Sequence, residues 1–488
     1  MLRGMTTSAE NARTRRAILT AGAAGAGAAG LGLLSPSQSD AQVLPPDDRY
    51  VWRSRIPVNV KDYGAKGDGT HAPTDDTAAI QSAINALPAG GGTVFIPPGD
   101  YVVNGTLVIP PDKPVRILGS GMGLKGTGAA DRFGPTRLIR RSPSSDNTML
   151  RAIGTASSRV CLELSDLELH GAGRPAMLAD FQVGNTVELH RVRFSGASAT
   201  GVRMRNIYNS SGSHLRFVAC GNGSGQPAVV FDGVSGAAGG SDTVQWHTLQ
   251  FEGNSGTDLK LTGNATNDAS TVSTALQFAN IKMEGGAAPG CPYIDLDYSQ
   301  GCFFSNVHIG VHGGRNAVPL RKNHPFGGTR ADKFVNLHID NVGSDTFPYG
   351  IEHSKGALQL ENITVLGAST AAIKVNSTVG ANELQLGNLL TNGSRSIIDS
   401  RTSPPTVASA ATVTPPRYGI VKVTGGTTIT QVDAHEAGYT MTLVFAGALT
   451  VTNGGNLRLA GNFTTSADDT LTLVSDGTNW YEVARSVN

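Results

Sequence analysis

The chain has 488 residues, among them 62 Gly and 24 Pro, and is 39% hydrophobic and 16% charged. Gly at nearly twice its usual share of about 7%, with no Gly-X-Y period, excludes collagen, and the hydrophobic share excludes a disordered chain. Basic residues number 39 and acidic residues 38, a formal charge of +1, which leaves no electrostatic footprint for nucleic acid or an anionic membrane.

Residues Thr14-Arg15-Arg16-Ala17-Ile18-Leu19 resemble a twin-arginine export signal, and a weakly apolar Ala/Gly run follows to Leu34. That run is too short and Gly-rich to span a bilayer. Small residues at Ser39 and Ala41 put cleavage after Ala41, so residues 1–41 are expected to be a signal peptide and the mature protein periplasmic or secreted. A disordered basic arm is the other reading of the segment. Cys161, Cys220, Cys291 and Cys302 show no C-x-x-C spacing. Buried thiols are expected, and Cys291–Cys302 is the pair near enough in sequence for a disulfide.

After a lead segment, 42–55, comes Asn59-Val60-Lys61-Asp62-Tyr63-Gly64-Ala65-Lys66-Gly67-Asp68-Gly69, then Thr74-Asp75-Asp76-Thr77. The pattern Ile80, Ala83, Ile84, Leu87 predicts one amphipathic helix with Thr74 as its N-cap. Short strands follow at Val94–Ile96, Tyr101–Val103 and Leu107–Ile109. A lone helix ahead of many strands suits a cap over the open end of a core.

From Leu162 three short alternating runs recur in order. A first run such as Leu276-Gln277-Phe278 is followed two residues later by a second, Ile281-Lys282-Met283, and after a Gly-rich turn by a third, Ile294-Asp295-Leu296. The leading apolar residue of the second run recurs at 167, 192, 215, 249, 281, 307, 337 and 363. The turn before it carries Asn280, Asn306, Asn336, Asn362 and Asn388 in successive coils. Period-2 alternation excludes a helical solenoid, and stacked coils bury what one coil cannot. Asn tolerates the left-handed bend and its amides hydrogen-bond along a stack. The expectation is a right-handed parallel β-helix over 56–400 with a buried Asn ladder; a β-sandwich would not require Asn at one turn of each coil.

The opening motif, with Gly90-Gly91-Gly92-Thr93-Val94 and Ile96-Pro97-Pro98-Gly99-Asp100-Tyr101, resembles the N-terminus of pectate-lyase-superfamily β-helices of the polygalacturonase-like, rhamnogalacturonase-like and phage-tailspike-like kinds. The resemblance covers roughly residues 56–400. It implies carbohydrate polymers as ligands, with lyase, hydrolase, epimerase and purely structural members. The polygalacturonase catalytic set is not reproduced: Asp75-Asp76 lies in the cap and His170-Gly171 stands without the rest. Residues 401–417 read as a Pro-rich linker, and 418–488 as a small β domain with strands at Ile420–Val423, Thr440–Phe445, Leu449–Val451 and Leu471–Val474. That domain suits a homotrimer or a glycan contact, with Trp480 and Tyr481 as packing or sugar-stacking residues.

Outward side chains of the third run are Arg203, Arg205, Asp232, Asp258, Lys260, Tyr293, Asp295, Asp297, Arg321, Glu352, Lys374 and Asn376. In the resembling enzymes that sheet floors the substrate groove. Asp295 and Asp297, about 7 Å apart on one strand, suit the ~6.5–9.5 Å of inverting glycosidases; an ion-pair ladder with Lys260 below Asp295 and Arg321 stacked on Asp297 is the other reading. Glu252 and Glu284 end the second run in consecutive coils, so their carboxylates approach to ~5 Å and one pKa should rise, as a general acid needs. Their competing reading is two solvated turn residues. Catalysis is thus placed on Glu252, Glu284, Asp295 and Asp297, with Lys260, Tyr293, Arg321, Glu352 and His312 as substrate-binding residues, and His312 also as base for a lyase. His308 and His338 share an outward column and are expected to be solvated. No His/Asp set has metal-ligand spacing; Ca²⁺ on Asp258, Asp295 and Asp297 is the one cofactor considered. The sequence therefore predicts an exported enzyme that cleaves a polysaccharide by β-elimination or hydrolysis, or a non-catalytic glycan-binding or assembly protein on the same fold.

Overall fold

The computed structural model describes residues 56–488 apart from 70–72, 124–134, 143–146, 175, 223–225, 234–238, 264–268, 287–289, 313–316, 325–329, 343–345, 381–382, 393–395, 401–403, 405 and 416–418. The export signal, its cleavage position and the lead segment lie outside the described residues.

Among the described residues, 26 strands from Val58–Asn59 to Ile397–Asp399 form one continuous sheet system. Its ladders are parallel, and each strand pairs with its counterpart one coil away: Gln277–Glu284 pairs with Asp242–Glu252 on one side and with Phe303–Val311 on the other. This is a parallel β-helix, as the three-run period predicts. The inward residues of each run are buried, for example Ile281, Val307, Leu337 and Ile363 at 2%, 2%, 1% and 1% exposure. Aromatic side chains stack along the axis in the same way. Phe304 lies between Phe278 and Phe334, with ring centroids 5.1 and 4.4 Å away.

The bend between the first and second runs is made identically in eight coils. Asp166, Arg191, His214, Thr248, Asn280, Asn306, Asn336 and Asn362 occupy it with φ between 51° and 60°. The left-handed conformation costs most side chains energy and Asn least. The Asn ladder stands as expected: each amide Nδ2 of Asn306, Asn336, Asn362 and Asn388 donates to Oδ1 of the Asn one coil before, at 3.0, 2.9, 3.3 and 3.1 Å. It is exposed, however, not buried, because the bend turns its side chains outward.

Helix α1, Thr77–Asn85, packs Ile80, Ala83 and Ile84 into the same core as Val94, Ile96 and Tyr101. Its N-cap is Asp76, not Thr74. The Asp76 carboxylate, 1% exposed, accepts from the backbone amides of Lys66 and Gly67 at 2.6 and 3.0 Å. Asp76 therefore holds the Ala65-Lys66-Gly67 loop, which explains why the opening motif speaks to fold and not to chemistry. Cys220 and Cys302 are buried thiols bonded to backbone carbonyls, and burial pushes Cys220 up to about 12.

At the C-terminal end, strands Thr406–Ala408, Ile420–Thr424, Thr440–Phe445, Thr470–Ser475, Trp480–Ser486 and Leu457–Arg458 form a mixed sheet with its own core. Within the stretch expected as a linker, Thr406–Ala408 pairs with Ile420–Thr424 in this sheet, and Thr412–Val413 pairs with Gln431–Val432 in a separate two-stranded one. Trp480 is a packing residue: it is 0% exposed and its Nε1 donates to the Asp433 carbonyl at 3.1 Å. Tyr481 is exposed.

Candidate functional site

The alternation Leu167-Glu168-Leu169-His170 buries the two leucines and turns Glu168 and His170 outward. One coil on, Val192-Arg193-Phe194-Ser195 does the same. The register sets Glu168 between Arg137 and Arg193, and His170 beside Ser195. Arg216 and Val218 continue the two columns. Arg137, Glu168, His170, Arg193, Ser195 and Val218, with Gly123, Pro135 and Gly196, line a cavity of about 200 Å³.

Its polar groups form a chain. Ser195 Oγ donates to Glu168 Oε1 at 2.6 Å, and His170 Nδ1 lies 2.8 Å from the same Oγ. Serine has one proton, and the carboxylate only accepts, so His170 Nδ1–H donates to Oγ and Nε2 keeps the lone pair. Burial pushes the His170 pKa below its ordinary 6.5; Glu168 works against this, while Arg137 and Arg193 add to it. The imidazole is therefore neutral at pH 7. Arg193 Nε is 3.4 Å from Glu168 Oε1, and its Nη1 donates to the Gly123 carbonyl at 3.1 Å. Arg137 grips Asp100 through two bonds of 2.7 and 2.5 Å. Arg216 makes no ion pair with a described residue. Gly196 adopts φ +64°, and a Cβ there would come within 2.9 Å of His170 Cε1, so only glycine leaves room for the ring. The arrangement is an oriented neutral base flanked by guanidinium groups. It can remove a proton from a carbon whose neighbouring negative charge the arginines neutralise.

The third-run face is different from the open groove expected there. Arg203 binds Asp180 at 2.9 and 2.6 Å, and Arg205 binds Asp232 in the same two-pronged way. Asp295, 1% exposed, accepts two bonds from Arg321 at 2.9 and 2.6 Å, with Lys260 Nζ 3.5 Å away. The register pairs Arg321 with Asp295, not with Asp297, which corrects the expected stack. Asp297 instead meets Lys260 at 3.6 Å. Burial raises the Asp297 pKa and Asp295 raises it further, against Lys260 and Arg321. Glu352 pairs with Lys374 at 2.8 Å; against its partial burial, the bonds from Lys374 and Asn376 hold its pKa below the usual range. This face is a ladder of ion pairs, the structural reading of the pattern. At the residues considered for Ca²⁺, cationic Lys260 stands against Asp295 and Asp297 at 3.5 and 3.6 Å, and Asp258 accepts from Asn254 at 2.8 Å.

Tyr293 is not an outward residue. It is 0% exposed, its ring is in the core, and its hydroxyl donates to the Gly310 carbonyl at 3.3 Å while accepting the His312 amide at 3.2 Å. It lies one residue before the strand Ile294–Leu296, where the turn and not the pleat sets direction. Glu252 and Glu284 do stack in register. The expected rise in pKa does not follow for Glu284: Lys282 Nζ binds it at 2.5 Å and His312 Nε2 at 3.5 Å, and Lys282 first, then His312, lower its pKa. His312 is thereby engaged with Glu284 and not posed as a free base.

Sequence reasoning passed over His170 because its partners, Glu168 on the same strand and Ser195 one coil on, fit no linear motif. The usable signal was the column: His170 and Ser195 end the second run of consecutive coils. It also found no metal set, yet the fold gathers His308, His338 and Asp340 with ligand atoms within 4.8 Å of one another. No described helix is long and apolar enough to cross a membrane.

Residues 57–275 match the family described as rhamnogalacturonase A/epimerase, pectate lyase-like. Over those residues, somewhat under half of its length, the chain resembles pectate-lyase-like β-helix proteins. Among similar curated proteins, alginate lyase 7 of Azotobacter vinelandii is 53% identical over 73 residues, 13% of this chain and 8% of that protein. Mannuronan C5-epimerase AlgE4 of the same organism is 39% identical over 115 residues, 23% of this chain and 19% of that one. The chain thus spans less than a fifth of the length of either relative. Among solved structures, Geobacillus virus E2 ORF18 aligns at 15% identity with a TM-score of 0.47, over 88% of this chain and 76% of that one. The pectate-lyase-like match includes the strands that carry Arg137, Glu168, His170, Arg193 and Ser195.

Proposed function

We propose that this β-helix acts on an acidic polysaccharide at the His170 cavity, and that the reaction begins with removal of the proton at C5 of a uronate residue. The observation that carries this reading is the neutral imidazole fixed by Ser195 and Glu168, with Arg137 and Arg193 lining the same cavity. His170 Nε2 takes the proton, and the guanidinium groups of Arg137 and Arg193 in the cavity wall counter the charge that builds up on the uronate carboxylate as the proton leaves. The names of the short matches, an alginate lyase and a C5-epimerase, support the same first step: both activities start from a C5 carbanion, which either expels the C4 substituent or is reprotonated. Export through residues 1–41 would bring the protein to such polymers, and fractionation of the expressing cell checks it.

A second reading, hydrolysis, rests on Asp297, whose raised pKa suits a general acid. One experiment separates them. Purified protein is incubated with a panel of polyuronates and neutral glycans in D₂O. Lyase action gives an ultraviolet-absorbing unsaturated product, epimerisation gives deuterium at C5, and hydrolysis gives reducing ends with neither. His170→Gln should lower either of the first two by at least ~100-fold, while Glu284→Gln should leave turnover within about threefold, since Lys282 holds Glu284 ionised. Reducing ends alone, lost in Asp297→Asn, would replace the first reading with the second.

A further inference from the structure

We infer that His308, His338 and Asp340 form a binding site for a divalent transition-metal ion of the zinc class, on the second run of the β-helix. His308 and His338 are register partners in adjacent coils, and Asp340 lies opposite Gly310. One carboxylate serves both imidazoles: Asp340 Oδ1 is 3.1 Å from His308 Nε2, and Oδ2 is 3.4 Å from His338 Nε2. Ligand nitrogens and oxygens about 2.0–2.1 Å from a tetrahedral ion lie ~3.3–3.4 Å from one another. Each imidazole is thus already at ligand spacing from one oxygen of the carboxylate, His308 from Oδ1 and His338 from Oδ2. With a single oxygen as ligand, the three ligand atoms lie within 4.8 Å of one another, a slightly open triangle. Both histidine side chains are over 40% exposed, so a small rotation about their side-chain bonds closes it.

The surroundings suit a cation. Gly310 does not crowd Asp340: even a Cβ there would lie 3.9 Å from Asp340 Oδ1, at ordinary van der Waals distance. Lys282 precedes His308 in the column and would repel an ion, but its ammonium is drawn to Glu284 at 2.5 Å. Thr364 follows His338 and carries no charge. Two imidazoles and one carboxylate favour Zn²⁺, Ni²⁺ or Cu²⁺ over Ca²⁺, which takes six or more oxygens. Three protein ligands leave a coordination position for water or for a sugar oxygen.

The test uses full-length protein, stripped with chelator, and two probes. Co²⁺ is titrated while its visible absorption is followed, and Zn²⁺ affinity is measured by competition with a chromophoric chelator. Expected are one site per chain, an intense visible band typical of a four-coordinate ion, and no displacement by excess Ca²⁺. His338→Gln and Asp340→Asn, made separately and checked for folding by circular dichroism, should each weaken Zn²⁺ binding at least ~10–100-fold, as much as loss of a supporting partner costs at a metal site. Absence of a stoichiometric site, or affinity unchanged in both folded variants, would overturn the assignment and leave the trio as imidazoles hydrogen-bonded to a carboxylate.

Discussion

Ser195→Ala removes a hydroxyl and nothing else, and the structure gives the consequence. Ser195 is 3% exposed, and its Oγ joins Glu168 at 2.6 Å to His170 at 2.8 Å. Without it, His170 Nδ1–H has no acceptor at that position, and Glu168 keeps Arg193 at 3.4 Å. A buried polar group left without its partner costs about 1–3 kcal/mol, so the variant should be destabilised by that much in chemical denaturation. The effect on catalysis is larger in kind. Nothing then selects the tautomer with the lone pair on Nε2, and the ring can rotate. A misplacement of ~1 Å can cost ~100-fold in rate, so kcat should fall ~100-fold while KM stays within about threefold, because the arginines still hold the substrate. Turnover would be followed on the polyuronate identified by the substrate panel. Nitrogen NMR of His170 gives an independent readout, moving from a single tautomer to a mixture. A variant with undiminished kcat and an unchanged tautomer would refute the claim that Ser195 positions the base.

Three further outcomes follow from the same geometry. Because His170 is held below its ordinary 6.5, chiefly by burial, kcat/KM should be full at neutral pH and fall on acidification with a midpoint below that value; a midpoint above it would mean that another group is titrating. The same shift makes the fold bind fewer protons than the unfolded chain, so its share of stability is present above 6.5 and is lost as pH falls through the folded value. Asp297 has the opposite sign: burial and Asp295 raise its pKa from 3.8, so its ionisation works against the fold as pH rises. Asp297→Asn should therefore raise the thermal midpoint at pH 7 and not at about pH 3, and a fall at pH 7 would contradict this. Asn336→Ala forces a Cβ without a compensating amide into φ +58° and breaks ladder bonds of 2.9 and 3.3 Å. About 1.5–3 kcal/mol should be lost, more than in Asn336→Gly, which keeps the bend; the reverse order in urea midpoints would count against a left-handed requirement.

The β-helix was legible in the chain because its causes are local. Inward Leu, Ile, Val and Phe at period two, and a residue tolerant of the left-handed region at each bend, are properties of a few neighbouring positions, repeated often enough to be recognised. Asn280, Asn306, Asn336 and Asn362 show this best, since the residue type itself reports the backbone. Glu252 over Glu284 was legible for the same reason, and so was the burial of Trp480 against the C-terminal core. Which outward side chains meet is another matter. It depends on the register between coils separated by turns of unequal length, and a shift of one residue sends a side chain to the other face. That register gave Arg321 to Asp295 in place of Asp297, and the turn before Ile294 took Tyr293 into the core. The same register placed Ser195 beside His170, and His338 beside His308. These groups lie 23 or more residues apart in the chain, and only coils stacked ~4.8 Å apart bring them within reach of a hydrogen bond or a shared ion.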